Sequence, residues 1–163
     1  MLKKIYNEVT REWDTSVEEA LKSFIRLPAL SPDFDKKWEE NGVLLKALED
    51  AQAWAEKQGI KGLRCEIIKD DGFTPCLFIE VDATSDKKFE RSVFFYGHLD
   101  KQPPNEGWDP DKSAWEPVIQ NGRLYGRGAV DDGYAFYTSL AAVKVLQTLE
   151  IPHPRCVGLF ETC

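Results

Sequence analysis

Residues 93–100 read VFFYGHLD, and this stretch predicts how the chain folds. Four apolar residues in a row are typical of a central strand that is covered on both faces. The strand leads into His98 and Asp100, whose side chains point to the same side of an extended segment. Ligands of α/β sheets gather at the carboxyl ends of strands, and a metal-bound imidazole usually donates its other N–H to a carboxylate or carbonyl. Taken alone, the tripeptide fits a solvated histidine beside an unrelated aspartate better than a metal site.

Further strands are predicted on both sides of this stretch. Residues 64–69 and 76–81 flank Asp71-Gly72 and are expected to pair as a hairpin. Residues 117–125 contain Asn121-Gly122 between two strand-like arms, which is the strongest short hairpin signal. A last buried strand is expected in CVGLFE at residues 156–161, and a charged solvent loop at 84–91.

Three helices complete the pattern. The first is predicted from Ser16, which forms a capping box with Glu19, to about residue 27, where Pro28 closes it. The second runs from about residue 35 to residue 58, and the third from about 133 to 150. The expected fold class is α/β, a three-layer αβα arrangement with a mixed, mainly parallel central sheet. It is expected to be truncated, because the last strand has nothing after it to cover it.

Composition excludes some classes of function. The 163 residues are 42% hydrophobic, which suits one globular domain, and the net charge is −7. That sign argues against nucleic acid and against anionic membranes as partners. No signal peptide or membrane-spanning run is visible, so a cytoplasmic location is expected. The four cysteines lie far apart without a C-x-x-C pair and are expected to be buried or half-buried free thiols.

A second motif, GRGAVDDG at residues 126–133, places two adjacent carboxylates just before the third helix. Asp131 or Asp132 could be the N-cap of that helix, which is the commonest reason for an aspartate there. Alternatively, one aspartate caps while the other bridges two cations, since a carboxylate can share its two oxygens between metals. The motif alone leaves both interpretations open.

The two motifs together resemble a known family. The stretches FYGHLDKQP (95–103), GWD (107–109), WEP (115–117) and NGRLYGRGAVDDG (121–133) closely resemble the co-catalytic zinc exopeptidases. That family includes carnosinases, cytosolic dipeptidases, aminoacylases, glutamate carboxypeptidases and desuccinylases. The likeness is tight from about residue 93 to 150 and looser from residue 16 onward.

The resemblance implies roles for three residues. His98 would ligate one of two zinc ions, Asp131 would bridge both, and Asp100 would be the catalytic-site carboxylate that orients the imidazole. It also implies a cis peptide between Asp131 and Asp132. The common Asp-Asp-Lys-Gly is replaced here by Asp-Asp-Gly-Tyr, which makes the branch of the family less certain but leaves the ligand in place.

Other parts of the family's site have no counterpart in the sequence. The resemblance places a Glu-Glu pair, which supplies the general base and a zinc ligand, immediately after Cys163, and Glu161 does not match it. A further carboxylate ligand, a distant histidine ligand and the lid or dimerisation domain are also absent. Residues 1–163 are therefore expected to be the N-terminal portion of the catalytic domain. They are expected to bind zinc weakly and to be inactive alone.

Three functions follow as hypotheses. The first is a metallopeptidase of the dipeptidase branch, acting on dipeptides or short peptides, and the second is an N-acyl amino acid deacylase of the same family. The third is a non-catalytic module that associates through an exposed sheet edge, which allows a homodimer. Four further residues are expected to be structural: His153 in an exposed loop, Trp108 and Trp115 packing a loop over the site, and Arg127 holding its own glycine-rich loop.

Overall fold

The computed structural model describes residues 1–84 and 90–163, so most of the predicted charged loop at 84–91 lies outside the described residues. The described strands are β1 (Leu63–Ile68), β2 (Cys76–Val81), β3 (Val93–His98), β4 (Val118–Gln120), β5 (Arg123–Tyr125) and β6 (Cys156–Glu161). The α-helices are α1 (Leu2–Glu12), α2 (Glu18–Arg26), α3 (Trp38–Asn41), α4 (Val43–Glu56) and α5 (Tyr134–Thr148). In these ranges no helix is both long and apolar enough to cross a membrane.

Four strands form a mixed sheet in the order β1-β2-β6-β3. Strands β3 and β6 are parallel, with α5 in the connection between them, whereas β1–β2 and β2–β6 are antiparallel. The α/β class, the mixed sheet and both predicted hairpins are confirmed, the second hairpin being β4–β5. One of the three pairings in the described sheet is parallel, so the sheet is less parallel than expected.

Strand β3 lies at an edge of this sheet, and the prediction of a central strand covered on both faces is wrong for the described chain. Phe94 and Tyr96 are 63% and 60% exposed, whereas Phe95 packs against the core. The described helices pack together on one face of the sheet, against residues such as Leu77 and Ile79. The described residues thus supply two of the three expected layers. An apolar run shows that a strand can be buried, but it does not fix its position in the sheet.

The first helix begins earlier than predicted, and the capping box is wrong. α1 starts at Leu2 and continues through a π-helical turn, Trp13–Val17, into α2. Ser16 therefore lies in mid-helix, where its hydroxyl donates to Gln58 Oε1 at 3.1 Å and accepts from Trp54 Nε1 at 3.1 Å. The predicted end before Pro28 is confirmed, since α2 ends at Arg26.

The second predicted helix is interrupted at Gly42. This residue has φ of 66°, a left-handed conformation that favours glycine, and it separates the single turn α3 from α4. The helix predicted near residues 133–150 is confirmed as α5, and the last strand is confirmed as β6, between β2 and β3. The four cysteines are free thiols; Cys156 is buried and Cys65 and Cys76 are half-buried, as expected, whereas Cys163 is exposed, contrary to the prediction.

Replacing Gly158 in β6 with alanine is expected to destabilise the protein by about 1–3 kcal/mol, because a Cβ there would lie 2.6 Å from Ile79 Cγ1. Urea unfolding measures the loss. The double variant Gly158→Ala/Ile79→Ala removes the obstructing side chain, so its loss should be smaller than the sum of the two single losses. If the loss in the double variant equals the sum of the two single losses, Ile79 does not crowd a side chain at position 158.

Candidate metal centre

The structure brings the two sequence motifs together. His98 ends β3, and the turn at residues 126–133, which leads into α5, contacts that strand end. The imidazole Nε2 of His98 lies 3.1 Å from Asp131 Oδ1. The Asp131 side chain is 64% exposed, so the pair lies at the surface of the described residues.

Asp100 lies on the other side of the imidazole. It is buried, its Oδ1 lies 3.1 Å from His98 Nδ1, and its Oδ2 accepts a hydrogen bond from the Ser31 hydroxyl. The hydrogen bond to Asp100, followed by the one to Asp131, raises the pKa of the His98 imidazole to about 9. The ring is oriented so that Nδ1 faces Asp100 and Nε2 faces Asp131.

The peptide bond between Asp131 and Asp132 is cis, as the family resemblance implies. Neither aspartate caps α5 with its side chain, and the N-cap position is Gly133. Asp132 instead accepts the backbone N–H of His98 on its Oδ2 at 3.3 Å, and burial raises the pKa of this carboxyl. The capping interpretation is therefore wrong for this turn, and Asp132 ties the turn to the end of β3.

Gly97 allows this close approach. A Cβ at this position would lie 2.8 Å from Asp132 Oδ2 and 3.0 Å from the Cβ of Ala135. The glycine before the histidine therefore leaves room for the turn and for the start of α5.

The loop residues singled out from the sequence contact their own or neighbouring loops. Trp108 Nε1 donates to Pro104 O at 2.7 Å, and Arg127 Nε donates to Pro103 O at 3.0 Å. The arginine thus links its own glycine-rich turn to the loop after Asp100. Trp115 lies beside the same loop, with its ring 5.5 Å from Lys101 Nζ.

The expectation that His153 is exposed is wrong. Its side chain is buried, with Nδ1 2.8 Å from Pro154 O and Nε2 3.1 Å from Gln147 Nε2. Its backbone N–H donates to Thr84 Oγ1 at 2.7 Å. The flanking prolines suggested an exposed loop, but contacts distant in sequence decide the burial of this side chain.

Sequence reasoning missed Ser31 and Lys101, both of which are buried near Asp100. Ser31 donates to Asp100, and the Lys101 ammonium donates to main-chain carbonyls at the end of α2. The only sequence signal was a lysine directly after the His-Leu-Asp motif.

The donor set suits zinc, which binds imidazole nitrogen and carboxylate oxygen at ~2.0–2.2 Å. Two such ligands on a tetrahedral ion lie roughly 3.4 Å apart, close to the 3.1 Å between His98 Nε2 and Asp131 Oδ1. Across residues 1–84 and 90–163, no group of three or more His, Cys, Asp or Glu side chains is placed to hold a metal. The described residues bring together two candidate ligands, His98 and Asp131.

The chain is similar in sequence to a peptidase family and to several known hydrolases. Residues 94–163 match Peptidase family M20/M25/M40. The succinyl-diaminopimelate desuccinylase of Nautilia profundicola is 30% identical over 131 residues, which are 79% of this chain and 29% of the relative. The Beta-Ala-His dipeptidase of Mus musculus is 36% identical over 78 residues, 47% of this chain and 15% of the relative.

The fold is similar to those of solved dipeptidase structures. The crystal structure of human carnosine dipeptidase 1 matches 99% of this chain with a TM-score of 0.73 at 20% identity, and the chain covers 34% of it. The di-peptidase Dug1p from Saccharomyces cerevisiae matches over the same shares, with a TM-score of 0.71. The chain spans about a third or less of the length of these relatives. The resemblance inferred from the sequence is confirmed, since residues 94–163 match Peptidase family M20/M25/M40.

Proposed function

We propose that this chain supplies part of a dinuclear zinc site in a metallopeptidase that cleaves dipeptides or short peptides. Residues 1–163 would form the N-terminal portion of the catalytic domain. The observation that carries the proposal is the alignment of Asp100, His98 and Asp131, with each ring nitrogen of the histidine 3.1 Å from a carboxylate oxygen.

Each of the three side chains has one part in the proposal. His98 would hold one zinc through Nε2, and Asp131 would bridge two ions, because its carboxylate is exposed and has two oxygens to share. Asp100 would fix the tautomer and the orientation of the imidazole from its buried position. Zinc, when bound, supplies the Lewis acidity that activates water and polarises the scissile carbonyl.

Two protein ligands hold zinc less tightly than the three or four of catalytic and structural sites. We therefore propose that the described residues bind zinc weakly and do not catalyse hydrolysis alone. A general base and further ligands are needed for turnover, and Glu161 is not proposed as that base, because it contacts the Tyr96 hydroxyl at 3.0 Å.

A second candidate is hydrolysis of an N-acyl amino acid. The desuccinylase match covers 79% of this chain, whereas the dipeptidase match covers 47%. Both reactions break an amide bond, and the same half-site would serve either. Hydrolysis of β-alanyl-histidine compared with an N-succinyl amino acid, by an enzyme that contains this chain, distinguishes them.

Zinc binding tests the proposed site directly, because the sequence has only two histidines and each gives its own imidazole signals. In a long-range ¹H–¹⁵N correlation spectrum, added zinc chloride is expected to shift the Nε2 signal of His98. The buried His153 is an internal control whose signals should stay in place. The His98→Ala variant should lose the response. If millimolar zinc leaves His98 unchanged, or shifts His153 alone, the proposed metal site is wrong.

A further inference from the structure

Lys101 has no exposed surface, and this burial lowers the pKa of its amine to about 7. Its ammonium donates to the carbonyl oxygens of Phe24, of Leu27 at 2.5 Å and of Ile25 at 3.4 Å. It also lies 3.9 Å from the centroid of the Phe24 ring. The last carbonyls of a helix have no partner within the helix, and a cation is favoured beside them. The three N–H donors of the lysine are thus matched by three acceptors at the end of α2.

The backbone of Lys101 contacts the same region from another side. Its carbonyl oxygen accepts from the Ser31 N–H at 3.0 Å and lies 3.2 Å from the Ser31 hydroxyl oxygen. That hydroxyl donates to Asp100 Oδ2. The segment from Phe24 to Ser31 is therefore held at both ends by Lys101, and its far end contacts the carboxylate that orients His98.

The lysine stem also contacts the turn that carries Asp131. A Cβ on Gly128 would lie 2.8 Å from Lys101 Cε, so the backbone of the turn rests on the stem. Gly128 has φ of 83°, and a Cβ on Gly126 would lie 2.5 Å from Ile25 Cγ2. The turn and the end of α2 therefore meet around this one side chain.

We propose that Lys101 is a positioning residue for the metal site. It would hold the His98–Asp100 pair and the turn bearing Asp131 in fixed relation by anchoring both to the end of α2. The inference rests on the proposed zinc function. Lys101 takes no part in catalysis itself, since its ammonium is enclosed and its donors are occupied.

The rival explanation is that Lys101 only stabilises the end of α2. In that case, replacing Lys101 would lower the free energy of unfolding but leave the positions of His98 and Asp131 unchanged. Lys144 is a suitable control, because its ammonium contacts Glu12 Oε2 at 2.6 Å and Gln58 Oε1 at 3.2 Å, away from the site. Its partly buried ion pair should also cost stability when removed.

The test compares Lys101→Met with Lys144→Met, since methionine keeps an unbranched apolar stem of similar length. We expect Lys101→Met to shift the zinc-free backbone amide signals of His98 and Asp131 and to weaken zinc binding about tenfold, as loss of an outer contact to a metal ligand does. Lys144→Met should lower the urea midpoint but leave both site readouts unchanged. Unchanged amide signals and unchanged zinc affinity in Lys101→Met would overturn the proposal.

A second variant covers the case in which Lys101→Met does not fold. Lys101→Arg keeps the cation, but its planar head is larger and should displace the Gly128 turn, which shifts the Asp131 amide signal. A folded Lys101→Arg with unmoved signals at His98 and Asp131 also overturns the proposal. The amide signals are read without zinc, so they test Lys101 even if wild-type protein binds no zinc and the proposed function fails.

Discussion

Replacing Phe136 with alanine is expected to lower the free energy of unfolding by about 3–5 kcal/mol. Phe136 lies on α5, is completely buried and makes edge-to-face contacts with Phe160, Tyr137 and Trp54 at centroid distances of 4.9, 5.2 and 6.0 Å. Such contacts add to the transfer free energy of the ring. The truncation would leave a cavity where the helical layer meets β6.

Urea unfolding followed by tryptophan fluorescence measures this loss, with Trp54 as a reporter beside the cavity. Phe73→Ala is the matched control, because it removes the same side chain from a site that is 71% exposed. Its effect should stay within about 0.5 kcal/mol. Equal losses in the two variants would show that α5 does not pack on the sheet as described.

Replacing Asp100 with asparagine is expected to weaken zinc binding by about 10–100-fold. Asparagine has nearly the same shape and can still hydrogen-bond Ser31 and the imidazole. It lacks the charge that favours a proton on Nδ1, so Nε2 becomes a poorer metal ligand. The stability of the folded protein should change less than the zinc affinity, because both hydrogen bonds can be kept.

The affinity is measured by zinc titration of the His98 imidazole signals. Asp109→Asn makes the same change in net charge, and Asp109 lies in the loop after Asp100 but pairs with Lys112 at 2.8 Å instead of with His98. This control should bind zinc like the wild type. An Asp109→Asn effect as large as that of Asp100→Asn would point to overall charge instead of orientation of the imidazole.

Local patterns predicted the elements around the site well. Asn121-Gly122 and Asp71-Gly72 marked two hairpins, and Pro28 marked the end of a helix, because each of these signals acts within a few residues. The capping box at Ser16 was wrong because it, too, is judged from only a few residues. A local pattern cannot show that the residues before it are already helical.

Tertiary contacts account for the remaining errors. The position of β3 at the edge depends on which strands pair, and the burial of His153 depends on Thr84 and Gln147. Lys101 finds its acceptors more than seventy positions earlier in the sequence. The meeting of His98 with Asp131 was predicted from the family resemblance, since each motif by itself also allowed an ordinary structural role.

The parallel pairing of β3 with β6 has a consequence for the order of folding. The β1–β2 hairpin closes a short loop, whereas β3 can pair with β6 only after α5 and the long segment between them have been brought back across the sheet. Closing a long loop costs more entropy and is slower than closing a short one. The turn bearing Asp131 lies inside that long segment. We therefore expect β3 to join β6 after the β1–β2 hairpin has formed.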